Sequence, residues 1–148
     1  MTEWRHKQVV GQVLKGKHIL LAEDILINAE IVKELLQAKG AEIDHAENGK
    51  IAVEMFSESE SGHYDAVLMD VRMPEMDGLE AVTVIRGLDR PDARVVPIIA
   101  MTANAFDEDV QNSLQVGMNA HLSKPVDPEH LYQTLEELIW ENENRHNI

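Results

Sequence analysis

Short unbroken apolar runs alternate along this chain with longer stretches in which apolar residues recur every three to four positions. The run Ala66-Val67-Leu68-Met69 is the plainest, with no polar residue inside it and the carboxylate of Asp70 at its end. Such runs suit strands buried on both faces of a parallel sheet, whereas half-solvated strands alternate. Ile19-Leu20-Leu21 is a further run and ends at Glu23-Asp24, while Ala41 to His45 is weaker. Val95 to Met101 carries Pro97 near its start, where a missing ladder donor matters least, and Ala120 to Leu122 is a short last run.

Between these runs lie the helical segments. Ile27, Ile31 and Leu35 mark one apolar face of a helix that ends at Gly40, a residue suited to a left-handed cap. Asn48-Gly49 opens a helix on Ala52, Met55 and Phe56, followed by a polar loop from Ser57 to His63. Asp77 caps a helix on Ala81, Ile85 and Leu88 that stops before an Arg90-Pro91-Asp92 loop. Phe106, Val110 and Leu114 mark the next, stopped by Gly117. Leu131, Leu135 and Leu138 mark the last, with Asp127 as its cap and Pro128 where no amide donor is required. Strand-then-helix units repeated in this way imply an α/β fold, an open parallel sheet with helices on both faces, because parallel strands need crossover connections.

Composition narrows the classes of function. A chain of 148 residues fits one domain. Its formal charge of -14 argues against sequence-independent binding to nucleic acid or anionic membrane, both of which need surplus Lys and Arg. With no cysteine there is no disulfide, thiolate metal site or cysteine nucleophile. No apolar run approaches the roughly 20 residues that span a bilayer, and Met1 to Gly16 does not read as a signal peptide, so a cytoplasmic location is expected. Arg5, Lys7, Lys15 and Lys17 face Glu3 alone in the lead-in. We read residues 1–16 as an extension or linker, 17–141 as the domain and 142–148 as a tail. Val9, Val10, Val13 and Leu14 also have spacing compatible with a short helix.

In open parallel sheets, ligands bind outside the carboxyl ends of the strands. The residues expected there are Glu23 and Asp24 after the first strand, Asp70 after the third, Thr102 after the fourth, and Lys124-Pro125 after the fifth. Taken singly, Glu23 or Thr102 is explained as well by a helix cap or a solvated loop. The set at four strand ends is not. Carboxylates brought together repel unless a cation sits among them, and an all-oxygen donor set favours Mg2+ over zinc or copper. An ionised carboxylate beside Mg2+ and a lysine can accept a phosphoryl group without a general base. Asp70 would be the nucleophile, Lys124 would neutralise a phosphoryl oxygen, and the Thr102 hydroxyl would hydrogen-bond another.

These residues resemble the receiver domain of two-component response regulators: Glu23-Asp24, the strand ending at Asp70, Met73-Pro74 with Asp77-Gly78, Thr102-Ala103 and Lys124-Pro125. The resemblance spans about Lys17 to Trp140. It implies a flavodoxin-like (βα)5 doubly wound sheet of strand order 2-1-3-4-5, and transfer of phosphate to Asp70 from a histidine kinase phosphohistidine. It also implies Mg2+ held by Asp24, Asp70 and the backbone carbonyl of Arg72, with Glu23 helping directly or through water, and a cis Lys124-Pro125 bond. Such a domain promotes its own phosphorylation and dephosphorylation without being a turnover enzyme. Its implied partners are a histidine kinase or its dimerisation and phosphotransfer domain, a downstream histidine phosphotransfer protein, and a second copy in a homodimer.

Asn28, the run Met101-Thr102-Ala103-Asn104-Ala105 and the run Gly117 to Pro125 are most similar to receivers within hybrid sensor histidine kinases. A stand-alone response regulator is the alternative. Where the family usually has an aromatic switch residue partnering Thr102, this chain has His121, which serves equally well as a half-buried strand residue. The remaining histidines, His6, His18, His45, His63, His130 and His146, read as surface or strand residues. A haloacid-dehalogenase-like phosphatase would want an acidic residue two positions after its nucleophile, and here that position is Arg72.

Overall fold

In a computed structural model, residues 13–103 and 108–144 are described. The parallel strands β1 (His18–Ala22), β2 (Glu42–Ala46), β3 (Ala66–Asp70), β4 (Ile98–Thr102) and β5 (Ala120–Ser123) lie side by side in the order β2-β1-β3-β4-β5. The helices are α1 (Leu26–Gln37), α2 (Gly49–Glu58), α3 (Gly78–Arg86), α4 (Pro91–Val95), α5 (Glu108–Gln115) and α6 (Pro128–Asn144). The expected flavodoxin-like doubly wound order is therefore present.

Alternation along the buried strands divides the core. Ile19, Leu21, Leu68, Ile99 and Met101 point to one face, where Val32 and Leu36 of α1 meet Leu131, Leu135 and Ile139 of α6. Leu20, Val67, Met69 and Ile98 point to the other, against Phe56 of α2, Ile85 of α3 and Ala93 of α4. Each fully buried Leu or Ile contributes about 1.5–3 kcal/mol relative to exposure. β3 is buried along its whole length because it pairs on both sides and is covered on both faces.

The helix start signals act as the sequence suggests. Side-chain oxygens of Asn48, Asp77 and Asp127 accept from the amides of Ile51, Glu80 and His130 at 2.9 Å each. Gly40 has φ of +85°, although α1 ends earlier, at Gln37. Gly78 admits no side chain, since a Cβ there would come within 2.3 Å of the Asp70 carbonyl oxygen.

Several expectations change. Ile27 and Ile31 are 68 % and 53 % exposed, and the core face of α1 is formed by Ala29, Val32 and Leu36. The stretch read as an Arg90-Pro91-Asp92 loop begins the short α4, with Pro91 at its start. Val95 ends that helix, so β4 begins at Ile98. Leu114 of α5 is exposed, and Phe106 lies outside the described residues. Leu14 is 1 % exposed and packs with Leu36 and Ile139, and the amide of Gly16 donates to the Gly40 carbonyl at 2.9 Å. Packing thus reaches back into residues 1–16, and α6 continues past residue 141. Val9 and Val10 lie outside the described residues. No helix among the described residues is long and apolar enough to cross a membrane.

Candidate functional site

The strand order reverses at β1 and β3: the chain leaves β1 toward β2, then returns to β3 on the other side. The crevice at their carboxyl ends is where such sheets bind ligands. Asp70 is the last residue of β3, and Glu23 and Asp24 begin the loop between β1 and α1. One carboxylate oxygen from each of the three lies within 4.8 Å of the others. Glu23 and Asp70 are only 2 % and 3 % exposed, whereas Asp24 faces solvent.

Lys124 comes from the end of β5 and crosses to this crevice. Its Nζ donates to Asp70 Oδ2 at 2.7 Å and stands 3.1 Å from Glu23 Oε1. The Arg72 amide donates to the other Asp70 oxygen, Oδ1, at 3.2 Å. β4 and β5 deliver Thr102 and Lys124 in step, the Lys124 amide donating to the Thr102 carbonyl at 2.8 Å. The Thr102 hydroxyl is buried and has no hydrogen-bond partner, an arrangement that costs free energy unless an incoming acceptor satisfies it. The Lys124-Pro125 peptide bond is cis, as the resemblance implied.

Burial, and then the charge of Glu23, raise the Asp70 carboxyl to about 6, against the hydrogen bond and charge of Lys124. For Lys124, burial works downward, but Asp70 and then Glu23 outweigh it and hold the ammonium above its ordinary value. Two buried carboxylates and one ammonium thus leave negative charge uncompensated. A hard divalent cation fits this donor set, which is all oxygen and open to solvent on the Asp24 side.

The response regulator receiver domain family matches residues 19–136. The chain belongs to this family. Its function is that of a receiver domain in two-component phosphorelay signalling. It is 35 % identical over 130 residues to hybrid signal transduction histidine kinase I of Dictyostelium discoideum, covering 86 % of this chain but 8 % of the kinase. With hybrid signal transduction histidine kinase B of the same organism it shares 43 % identity over 121 residues, covering 76 % of the chain and 6 % of the kinase. The chain therefore spans a small fraction of the kinases it matches. Among solved structures, a Pseudomonas aeruginosa sensor histidine kinase receiver domain, with magnesium coordinated in its active site cleft, has a TM-score of 0.77 and 38 % identity. That match covers 84 % of this chain and 98 % of the other. The receiver domain of yeast Ssk1, solved with the phosphotransfer protein Ypd1, has a TM-score of 0.76 and 29 % identity, over 86 % and 92 % of the two chains.

In this receiver domain the residues singled out at the strand ends, Glu23, Asp24, Asp70 and Lys124, meet in one crevice, with Thr102 at the adjacent strand end. His121 is half-buried on β5 and lies opposite Ala100, while Thr102 lies opposite Ser123. One contact at the site goes beyond the sequence reading. His45, placed there among surface or strand residues, sets its Nε2 2.8 Å from the Glu23 carbonyl oxygen. Nothing in the spacing of β2 marks it, because the contact depends on β1 and β2 lying side by side.

Proposed function

We propose that Asp70 is the phosphoacceptor of this receiver domain and that Asp24, Asp70 and the Arg72 carbonyl hold Mg2+, with Glu23 helping directly or through water. The observation that carries this reading is the meeting of three carboxylates with one lysine at a buried strand end. Asp70 Oδ1 would attack phosphorus as the bond from phosphorus to the donor's imidazole nitrogen breaks, the electron pair returning to that nitrogen. Lys124, already on Oδ2, holds the carboxylate in line and neutralises charge gathering on the phosphoryl oxygens. The bound Mg2+ would supply the remaining positive charge. Thr102 then finds in a phosphoryl oxygen the acceptor its hydroxyl lacks. That pull would shift α5 and β5, with His121 as the neighbouring strand residue.

The proposed donors and acceptors are a histidine kinase and a histidine phosphotransfer protein, with the parent chain a hybrid kinase. Support for a protein partner comes from α1 and the residue before it. Ile25, Leu26, Ile27 and Ile31 are exposed apolar side chains next to the crevice. Ile31 and Asn28 line a pocket with Glu23, Lys124 and Pro125. An amphipathic helix carrying the phosphohistidine would cover that surface while presenting its imidazole to Asp70.

The test is intact-mass measurement after incubation with Mg2+ and a small acyl-phosphate donor. One added phosphoryl group is expected, lost in Asp70→Asn and in the presence of EDTA. Catalytic turnover of phosphate esters without a stable adduct would point instead to a phosphatase.

A further inference from the structure

The loop that carries Glu23 and Asp24 is short, and α1 contributes little to holding it. The N-cap residue of α1, Ile25, has no side-chain cap bond, and the first turn has no acidic residue. Besides Lys124, which stands 3.1 Å from Glu23 Oε1, three contacts hold the loop. The Glu23 amide donates to the Ala46 carbonyl at 3.0 Å, the Ile25 amide donates to Glu23 Oε2 at 3.1 Å, and His45 Nε2 meets the Glu23 carbonyl at 2.8 Å. Two of the three come from the end of β2, where His45 and Ala46 lie opposite Leu21 and Ala22.

The Glu23 carbonyl belongs to the peptide plane that joins Glu23 to Asp24. Holding its direction restrains ψ of Glu23 and φ of Asp24, and so the directions in which both side chains leave the backbone toward the cluster. A carbonyl oxygen can only accept, so His45 Nε2 carries a proton whether the ring is neutral or charged. From this geometry we infer that His45 is a positioning residue for cation binding: its Nε2–H clamps the 23–24 peptide so that the Asp24 and Glu23 carboxylates converge with Asp70. The inference rests on the reading of that cluster as the Mg2+ site. Groups that orient metal ligands from behind commonly cost about tenfold or more in metal affinity when removed.

The experiment titrates the full chain with Mg2+ alone, by calorimetry and by amide spectra, in four forms: unsubstituted, His45→Leu, His45→Gln and Asp24→Asn. Leucine fills the space without donating, and glutamine returns an N–H at comparable reach. Amide spectra in EDTA establish that each variant is folded and should show shifts centred on Glu23, Asp24 and Ala46. Mg2+ affinity is expected to fall about tenfold in His45→Leu and to return to within about twofold in His45→Gln. Unchanged affinity in His45→Leu, with binding abolished in Asp24→Asn, overturns the role of His45 and leaves the Mg2+ site standing. Affinity in His45→Gln as weak as in His45→Leu overturns the donor argument. Unchanged affinity in Asp24→Asn overturns the site and the inference together.

Discussion

Removing the charge of Asp70 should stabilise the cation-free protein. Its carboxyl is raised from 3.8 to about 6, chiefly by burial. At 1.36 kcal/mol per unit, a rise of about 2 units means that the ionised form costs about 3 kcal/mol of folding stability at high pH. The folded state holds its proton more tightly than the unfolded chain, so the penalty is absent below pH 3.8, grows as pH rises and is complete above about 6. Asp70→Asn removes it but also takes the carboxylate from Lys124, which keeps Glu23 at 3.1 Å. The attraction of Lys124 is already contained in that shift, so the gain expected from the neutral side chain is the whole of about 3 kcal/mol. Urea denaturation in EDTA at pH 8 should show the variant midpoint higher by about 1.5 M. The gap should close by pH 4. Adding Mg2+ at about 1,000 times its Kd should stabilise the unsubstituted protein by about 4.1 kcal/mol and reverse the order. A variant no more stable than the parent at pH 8 in EDTA, or a gap that ignores pH, would refute the reasoning.

Arg90 lies away from the crevice and closes the end of α2. It donates to the carbonyls of Phe56, Ser59 and Glu60 and pairs with Asp92. Arg90→Ala should cost about 2–3 kcal/mol, read as a Tm lower by about 5–10 °C, with Asp70 phosphorylation intact. Arg90 also holds the Asp92 carboxyl at about 2, so the pair's contribution persists above pH 3.8 and fades as pH falls toward 2; acid titration of the variant should lack that phase. Thr102→Val replaces an unpartnered buried hydroxyl with a methyl of the same shape. Stability should be unchanged or raised by up to about 1 kcal/mol, with phosphorylation retained in the mass spectrum and amide shifts over α5 and β5 lost on adding a phosphoryl mimic.

Much of the site was legible in the sequence because each member sits at the end of an apolar run. Asp70 stops a strand, Glu23-Asp24 follow another, and Thr102 and Lys124 close two more, so strand ends alone gather them at one edge. The core face of α1 was less legible. Both Ile27-Ile31-Leu35 and Ala29-Val32-Leu36 recur at helical spacing, and periodicity cannot choose between two apolar stripes. The sheet chooses the second, with small Ala29 among the residues buried against it, and leaves the larger isoleucines of the first outside. Pro91 was a usable start signal for α4, overridden by the turn-like composition around it.

Local order along the chain by itself determined the strands, most helix starts, the fold class and the chemistry of the strand-end residues, because burial period and capping are properties of neighbours in sequence. Only the tertiary structure decided which side of α1 faces solvent, that Leu14 joins the core, and that His45 reaches the Glu23 carbonyl. Those depend on which surfaces meet once β1 lies between β2 and β3, and contacts between residues far apart in sequence leave no periodic trace in either partner.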